Sequence, residues 1–535
     1  MKVTRRGKVA AVIILTLMLM LAVPLWQLGD HAAAGYYSRH AKHLYDHVSN
    51  YFVHDRPEEG LAIDSTSHHQ NDTHMGTRAQ SSLNPHCRGF PNTDGILLVM
   101  KTGATEIYAK MPTQLLTAMS CLPDFLLYSD IESQIGPYHF INALDRVDDS
   151  IKNAHEEFEL YNAQQRCPIS LADCTEGLSG GWELDKYKFL NMVERTWQKR
   201  PGMDWYVFAE ADTYIVWSNL VKWLRERAPR GDAYVGSVAM VNGFPFAHGG
   251  SGYVVSGSLM KKMAEGIPDL TAKYDERATQ ECCGDVVLSH AIEEAGTQVM
   301  QAHPMFNGEK PITLPYGPGH WCEPILTMHH VNSEEVSMIW QYEETRRNRT
   351  DVLLIKDIFQ TFMAPYLVSV RWDWDNRSED TCYVGPSEEE QQRAGDQERH
   401  RQKHENEKNP LEKTAHESPS ACSKVCEADG LDIPWTELAE MDNSVDRGRF
   451  IREHYAKRVK GDKDGTWRRE RSCFQWRYQK GTCCTGKTFK FGATKRESND
   501  EDRWTSGWFV QGIEDWIEAR GECKDVEWKE PYYVL

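Results

Sequence analysis

The stretch Trp205-Tyr-Val-Phe-Ala-Glu210-Ala-Asp212-Thr-Tyr-Ile215 places two carboxylates directly after an apolar run. The apolar run predicts a buried strand, and in an extended backbone Glu210 and Asp212 point to the same side. Two acids at the end of a buried strand are suited to hold a divalent cation, which can in turn hold a phosphorylated substrate. The stretch therefore predicts a cation site at one edge of a sheet.

Apolar runs alternate with helical patterns on both sides of this strand. The predicted strands are 96–100, 125–128, 205–209, 233–236, 253–255 and 325–328, and two predicted helices are 184–197 and 217–224. This alternation is typical of βαβ units and a parallel sheet. It predicts an open, doubly wound α/β domain over residues 92–365, in which ligands bind beyond the carboxyl ends of the strands.

The N-terminus combines a basic segment, residues 1–8, with residues 9–28, which contain no charged residue. Twenty such residues are long enough to cross a bilayer as a helix. We therefore expect an uncleaved signal anchor, with residues 1–8 as a cytosolic tail and the remainder in a lumen. A signal peptide cleaved after residues 32–34 is the alternative, although the apolar run is longer than a usual signal core.

Cysteine usage agrees with a lumenal protein. The chain has 14 cysteines, several of them close in sequence, such as Cys167 with Cys174 and Cys422 with Cys426. Disulfides in an oxidising compartment explain this usage, but the pairing cannot be derived from the sequence. Sequons for N-glycosylation, a weak signal on their own, occur at Asn71, Asn348 and Asn376.

Length and charge limit the function classes. At 535 residues the chain is too long for one average domain, so two or more folded units are expected. The formal net charge of −18 argues against a general nucleic-acid binder, which needs a basic surface. Residues 29–91 are polar and rich in histidine, without hydrophobic periodicity. They predict a solvated stem, and metal binding by the histidines is the alternative.

The last third of the chain divides into two parts. Residues 366–420 carry charged runs and few apolar residues, which predicts a connector and a disordered linker. Residues 421–525 hold six cysteines and segments of alternating polarity, which predict a small disulfide-stapled domain. A zinc site on the close pairs Cys483-Cys484 and Cys422-x3-Cys426 is the alternative, but their spacing matches no common zinc template.

Three segments downstream of the acidic pair carry candidate site residues. Gly249 and Gly250 precede a predicted strand, where glycines allow close approach to a ligand or simply form a turn. Asp285 precedes a helical stretch and is either a helix N-cap or a general base. His329 follows a predicted strand and could complete a metal site with Asp212. Adjacent His330 would face the other side of an extended strand, so only one of the two would point at the metal.

Aromatic residues surround these segments. Most of them are expected in the core, while one or two could stack on a sugar or base. They are Trp205, Tyr214, Trp217, Tyr253 and Trp321.

Five segments occur in the order typical of the Fringe-like β1,3-glycosyltransferases, which form glycosyltransferase family 31. They are 96–100, 205–220, 249–256, 283–288 and 327–331. Over residues 92–335 the chain resembles this family and, within it, the core 1 β1,3-galactosyltransferases. The stretch Cys473-Phe-Gln-Trp-Arg-Tyr478, with the cysteines around it, resembles a PAN/apple module.

The resemblance implies a GT-A fold, a type II Golgi membrane protein, a UDP-sugar donor and Mn²⁺. It assigns metal binding to Asp212 and His329 and the role of catalytic base to Asp285. The aspartate triplet of the family corresponds to Glu210-Ala211-Asp212, so the first acid is exchanged for another and the middle one is lost. The predicted UDP-sugar contacts are Thr102, Glu210, Gly249 and Gly250.

The expected activity is an inverting, metal-dependent β1,3-transfer of a sugar, galactose first among the candidates, from a UDP-sugar to a glycoprotein glycan such as O-linked N-acetylgalactosamine. Two other functions stay open. One is an inert relative that serves as a chaperone, which the altered triplet favours. The other is glycan or protein binding by the PAN-like tail.

Overall fold

The computed structural model describes residues 84–166, 180–227, 231–346, 351–441, 444–499, 502–526 and 528–534. The predicted cytosolic tail, the 9–28 span and all of the stem before residue 84 lie outside these ranges. So do Cys167, Cys174 and the sequons at Asn71 and Asn348. Among the described helices, none is both long enough and apolar enough to cross a membrane.

Strands and helices alternate through the first part of the described chain. The strands are β1 (Ile96–Lys101), β2 (Phe125–Ser129), β3 (Ser133–Ile135), β4 (Tyr138–Asn142), β5 (Trp205–Glu210), β6 (Tyr214–Ile215), β7 (Tyr234–Gly236), β8 (Val238–Val241), β9 (Phe244–Ala247), β10 (Tyr253–Ser256), β11 (Val299–Gln301) and β12 (Thr327–Met328). The helices are α1 (Ile107–Leu116), α2 (Asp149–Ala154), α3 (Phe158–Arg166), α4 (Gly181–Asp185), α5 (Lys188–Lys199), α6 (Trp217–Glu226), α7 (Gly257–Gly266), α8 (Leu270–Ala278), α9 (Gly284–Glu294), α10 (Ser333–Thr345) and α11 (Ile355–Phe362).

The C-terminal part adds short strands and helices. Its strands are β13 (Arg371–Trp372), β14 (Trp374–Asp375), β15 (Thr381–Val384), β16 (Gln475–Gln479), β17 (Thr482–Gly486), β18 (Ala493–Thr494), β19 (Thr505–Trp508) and β20 (Tyr532–Tyr533). Its helices are α12 (Glu388–Arg393), α13 (Asp396–His400), α14 (Pro410–Lys413), α15 (Pro419–Glu427), α16 (Trp435–Ala439), α17 (Ser444–Gly461), α18 (Thr466–Arg469) and α19 (Val510–Arg520).

The central sheet has nine strands in the order β20-β11-β7-β10-β5-β1-β2-β4-β3. Strand β1 runs parallel to β2 and to β5, and Lys101 lies beside Glu210 where β1 and β5 end. Strand β10 runs antiparallel to β5 and β7, because the chain returns through the β8–β9 hairpin instead of a crossover helix. The predicted α/β domain is confirmed, but its sheet is mixed and not parallel.

Both faces of this sheet are covered, which is why its strands are continuous apolar runs. In β1, Leu98 and Met100 belong to one hydrophobic core, while Leu97 and Val99 belong to the other. All six residues of β1 are buried. The two cores pack against opposite faces of β1 and β5 and so support the C-terminal ends of these central strands.

The C-terminal part shares a core with the α/β domain. It contains a five-stranded sheet in the order β13-β19-β16-β17-β15. Phe489, which follows β17, contacts Phe359 of α11, with ring centroids 5.1 Å apart. Trp516 of α19 packs on Trp321 at 5.2 Å. Strand β20 joins the central sheet beside β11. The tail is therefore built into the domain and is not a separate module behind a linker.

The predicted disordered linker is wrong. Strands β13 and β15 lie within residues 366–420 and pair with β19 and β17, and three short helices follow. These helices need few apolar residues because capping boxes satisfy their first turns, one of them formed by Ser387 with Glu390 and another by Asn409 with Glu412. Tyr383, Leu411 and Ala415 of this stretch are buried in the tail's core.

Every cysteine among the described residues is paired, so the zinc alternative for the tail is wrong. The pairs are Cys87–Cys121, Cys282–Cys283, Cys322–Cys523, Cys382–Cys484, Cys422–Cys483 and Cys426–Cys473. The sequon at Asn376 is also excluded as a glycosylation site in the folded chain. Its side chain is fully buried and donates hydrogen bonds to the carbonyl oxygens of Trp476 and Gly507.

The shared core predicts that the Cys322–Cys523 disulfide contributes strongly to stability. This bond links the α/β domain to the C-terminal part and closes a loop of 201 residues. Replacing both cysteines with alanine should lower the free energy of unfolding by about 2–5 kcal/mol, measured by urea denaturation. The matched pair Cys87–Cys121 closes only 34 residues, so its removal should cost about 1–2 kcal/mol less. Separate unfolding transitions for the two parts of the unmodified chain would contradict the shared core.

Candidate functional site

A cavity of about 540 Å³ opens where β1 and β5 end. It brings together most of the residues that the sequence predicts for the site, namely Thr102, Glu210, Asp212, Gly250, Asp285 and His329. Gly249 does not line this cavity, but its backbone N–H donates to Asp285 from 3.0 Å. Residues separated by more than 220 positions in the sequence thus share one concave site, which is the usual form of a ligand pocket.

The pairing of two short strands positions the predicted metal ligands. Strand β12 runs antiparallel to β6, with Met328 beside Tyr214, so the residues that follow β12 lie next to those that precede β6. The N–H of Val331 donates to the carbonyl of Asp212 at 3.0 Å and fixes this approach. His329 Nε2 consequently lies 3.2 Å from Asp212 Oδ1.

Both adjacent histidines approach Asp212, contrary to the expectation that only one would. Asp212, His329 and His330 each offer one ligand atom, and these atoms lie within 4.8 Å of one another. The expectation assumed an extended strand, but β12 ends at Met328, and His330 adopts a left-handed backbone with φ of 58°. Their rings stack with centroids 3.9 Å apart.

The ring of His329 determines the need for glycine at position 250. A Cβ atom on Gly250 would lie 2.1 Å from His329 Cε1, far inside van der Waals contact. Its backbone carbonyl accepts a hydrogen bond from Thr213 Oγ1 at 2.7 Å, which holds the segment in place. Gly250 therefore makes room for a histidine, and this is a more specific role than the ligand contact predicted from the sequence.

The charges around His329 favour its protonated form when no cation is bound. Burial alone would lower the pKa of His329, but hydrogen bonds to Asp212 and Glu210 and the charges of these carboxylates raise it to about 9. Burial opposes ionisation of Asp212 as well, yet His329 and Lys110 lower its pKa. Lys110 Nζ lies 3.1 Å from Asp212 Oδ2. The carboxylates of Asp212 and Glu210 thus attract positive charge strongly.

Glu210 forms an ion pair with the neighbouring Lys101. Lys101 Nζ lies 2.9 Å from Glu210 Oε1 and also pairs with Asp185. Burial would raise the pKa of Glu210, but the charge of Lys101 outweighs it and lowers that pKa well below its usual range. The two carboxylates likewise raise the pKa of Lys101 against the effect of its burial. Glu210 therefore supports the site from within an ion pair.

Asp285 stands in a different environment from the other acids. It lies in the first turn of α9 and is 7% exposed, and its carboxylate accepts hydrogen bonds from the N–H groups of Gly249 and Val286. Burial raises the pKa of Asp285 to about 6, although the Gly249 N–H opposes the shift. The N-cap position belongs to Cys283, so the N-cap alternative is wrong. A carboxylate with a pKa near neutrality is suited to accept a proton.

The aromatic residues that the sequence indicated for stacking are all core residues. Trp205, Tyr214, Trp217, Tyr253 and Trp321 are each no more than 5% exposed, and none of them lines the cavity. The cavity is bordered instead by Phe189, Phe246 and Trp182, and Trp182 is 69% exposed.

Several lining residues have no role in the sequence-based predictions, and all but one carry a titratable side chain. They are Lys101, Lys110, Trp182, Asp185, Lys188 and His248. His330 also lines the cavity, although the sequence predicts that it faces away from the metal. The sequence does not distinguish a lysine that lines a cavity from one that lies on a solvent-exposed face. The one usable signal was Lys101, a charge that ends a fully apolar strand beside the β5 acids.

Residues 181–310 match the family model described as Fringe-like. Proteins of this family are generally glycosyltransferases. The Fringe-like segment contains Glu210, Asp212, Gly250 and Asp285, and its match ends before His329. A search of curated proteins finds no match to the chain.

The donor set of this site fits a divalent cation. It combines a carboxylate oxygen with imidazole nitrogens, and His329 Nδ1 is buried without a hydrogen-bond partner among the described residues. Lys110 already occupies one side of Asp212 with positive charge. Lys110 and a cation held by these ligands would face the same cavity. The residues present therefore suit a cation that also binds phosphate oxygens.

Replacing Gly250 with alanine should displace the His329 ring and weaken the binding of a divalent cation by about 10–100-fold, measured by isothermal titration calorimetry with Mn²⁺ as the probe. Gly266→Ala is the matched control, since nothing lies within 4 Å of a Cβ at that position. Equal Mn²⁺ affinity in Gly250→Ala and the unmodified chain would contradict the role of the His329 ring.

Proposed function

We propose that the protein is an inverting glycosyltransferase that moves a sugar from a nucleotide diphosphate donor to an acceptor hydroxyl, with a divalent cation, Mn²⁺ first among the candidates. One observation carries the proposal. A single cavity holds a carboxylate–imidazole set suited to a cation and, separately, a buried aspartate whose pKa is raised. The Fringe-like match over residues 181–310 supports the same class of activity.

The donor diphosphate is assigned to the cation side of the cavity. Asp212 and His329 would hold the metal, and when bound it supplies positive charge that offsets the charge on the leaving diphosphate. Lys110 is 28% exposed beside Asp212, so it can turn to a phosphate oxygen once the carboxylate has another partner. Thr102, directly after β1, lines the same cavity.

Asp285 is the proposed general base. It would take the proton of the acceptor hydroxyl while that oxygen attacks the anomeric carbon and the diphosphate leaves. A single displacement of this kind converts an α-linked donor sugar into a β-linked product. The environment of Asp285 favours the task, since no cationic side chain among the described residues pairs with it directly and burial raises its pKa.

The finer assignment rests on the order of the five sequence segments. We propose a UDP-sugar donor, UDP-galactose first, a β1,3-linkage, and a glycoprotein acceptor such as O-linked N-acetylgalactosamine. Exposed Trp182 at the cavity rim offers a surface on which a base or sugar ring can stack. The disulfides of the described residues support an oxidising compartment, for which we propose the Golgi lumen.

Asp285→Asn should retain UDP binding and lose sugar transfer by at least about 100-fold, because the amide cannot accept the proton. UDP release from a panel of UDP-sugars, with and without Mn²⁺, measures transfer and also identifies the donor. Asp275→Asn is the matched control, since Asp275 is also buried with a raised pKa but does not line the cavity.

Transfer by Asp285→Asn at the rate of the unmodified chain would exclude Asp285 as the base. UDP binding without release from any UDP-sugar of the panel would favour the inert relative, in agreement with the missing acid at Ala211. Either result leaves the fold and the cation site unaffected.

The raised pKa of Asp285 predicts the pH dependence of the reaction. Transfer requires the ionised carboxylate, so kcat/KM should fall about tenfold per pH unit below about pH 6 and level off above it. An aspartate with the usual pKa of 3.8 would keep full activity two units lower. Initial rates at saturating metal, with metal occupancy checked at each pH, measure the profile. A flat profile down to about pH 4.5 would contradict the assignment.

A further inference from the structure

We propose that His330 is a third protein ligand of the cation, so that the metal is held by two imidazoles and one carboxylate. The inference rests on the proposed metal-dependent function and concerns a residue to which that function assigns no role. It makes His330 a determinant of which metal ions the protein accepts.

The backbone directs His330 toward the site. A left-handed φ of 58° turns the chain immediately after His329, and hydrogen bonds fix both sides of this turn. The N–H of Val331 donates to the carbonyl of Asp212 at 3.0 Å, and the N–H of His329 donates to the carbonyl of Glu309 at 3.2 Å. The result is that the ligand atoms of Asp212, His329 and His330 lie within 4.8 Å of one another.

The other nearby positions cannot provide the third ligand. Ala211 carries no side-chain ligand atom. Glu210 pairs through Oε1 with Lys101 at 2.9 Å, and although its Oε2 lies 3.6 Å from His329 Nε2, Glu210 is outside the group of described residues whose ligand atoms all lie within 4.8 Å of one another. His248 lies close, with its ring centroid 5.5 Å from that of His329 and its Nδ1 bonded to Ser251 Oγ at 2.7 Å, but neither of its ring nitrogens belongs to the group of described ligand atoms that lie within 4.8 Å of one another. His330 is exposed at the cavity, which leaves its imidazole free to adjust to an ion.

A second imidazole changes the preference among metals. Imidazole ligands suit Co²⁺, Ni²⁺ and Zn²⁺, whereas carboxylates, carbonyls and water suit Mn²⁺ and Mg²⁺. A set of two histidines and one carboxylate leaves coordination positions open, which the phosphate oxygens of a donor can fill. Loss of His330 should therefore weaken Co²⁺ binding more than Mn²⁺ binding.

The test compares the binding of Co²⁺ and Mn²⁺ to the full chain by isothermal titration calorimetry. The visible absorption spectrum of bound Co²⁺ is a second readout. His330→Asn removes the imidazole, and asparagine tolerates the left-handed backbone. His330→Phe is a second variant that keeps a ring able to stack on His329. The control is His248→Asn, which removes a different histidine from the same cavity.

Both His330 variants should bind Co²⁺ at least about tenfold more weakly, lose less affinity for Mn²⁺, and show a changed Co²⁺ spectrum. His248→Asn should match the unmodified chain. Unchanged Co²⁺ affinity and spectrum in both His330 variants would overturn the inference, and so would an equal loss in His248→Asn.

Two reference variants separate this inference from the proposed function. Asp212→Asn and His329→Asn should abolish binding of both ions. If they do so while the His330 variants bind normally, His330 is no ligand and the metal-dependent function stands. If the unmodified chain binds neither ion, with or without UDP, the metal-dependent function itself fails.

Discussion

The ion pair between Lys101 and Glu210 constrains the whole site. It joins the ends of the two central strands, β1 and β5, at the edge where the cavity opens. A lysine buried here requires carboxylate partners, because an unpaired buried charge costs several kcal/mol. Glu210 and Asp185 meet that requirement. The partner of Asp212 is Lys110, which is 28% exposed and can turn away, whereas the partner of Glu210 is the buried Lys101. Asp212 is consequently the acid of the two that can exchange its partner for a cation, and the symmetry that the sequence suggests between them disappears.

The sequence predicted the strands of the α/β domain because continuous apolar runs and helical patterns are local signals. It also predicted Asp212, His329 and Asp285 as site residues, each at the end or start of such an element, and the structure brings the three to one cavity. It did not predict that His330 lies beside Asp212, because the left-handed backbone at His330 follows a strand of only two residues and nothing in the sequence indicates that conformation. It missed Lys101 and Lys188 because burial of a lysine depends on partners that are distant in sequence.

The structure of the tail differs most from what the sequence predicts. Low apolar content between residues 366 and 420 suggested disorder, but polar caps and strand pairing with distant segments organise that stretch. The aromatic contacts of Trp516 and Phe489 with the α/β domain connect the tail to the same core that supports the cavity. Long-range pairing of this kind cannot be derived from composition. The tail consequently acts as part of the enzyme scaffold in the proposed function.

The central claim is that the cavity binds a nucleotide diphosphate through a cation held by Asp212 and His329. Anomalous diffraction from crystals grown with Mn²⁺ and UDP tests it most directly. We expect one anomalous peak in contact with Asp212, His329 and His330 on one side and with the UDP phosphates on the other. Bound UDP without an anomalous peak at these residues, or with a peak elsewhere, would contradict the account.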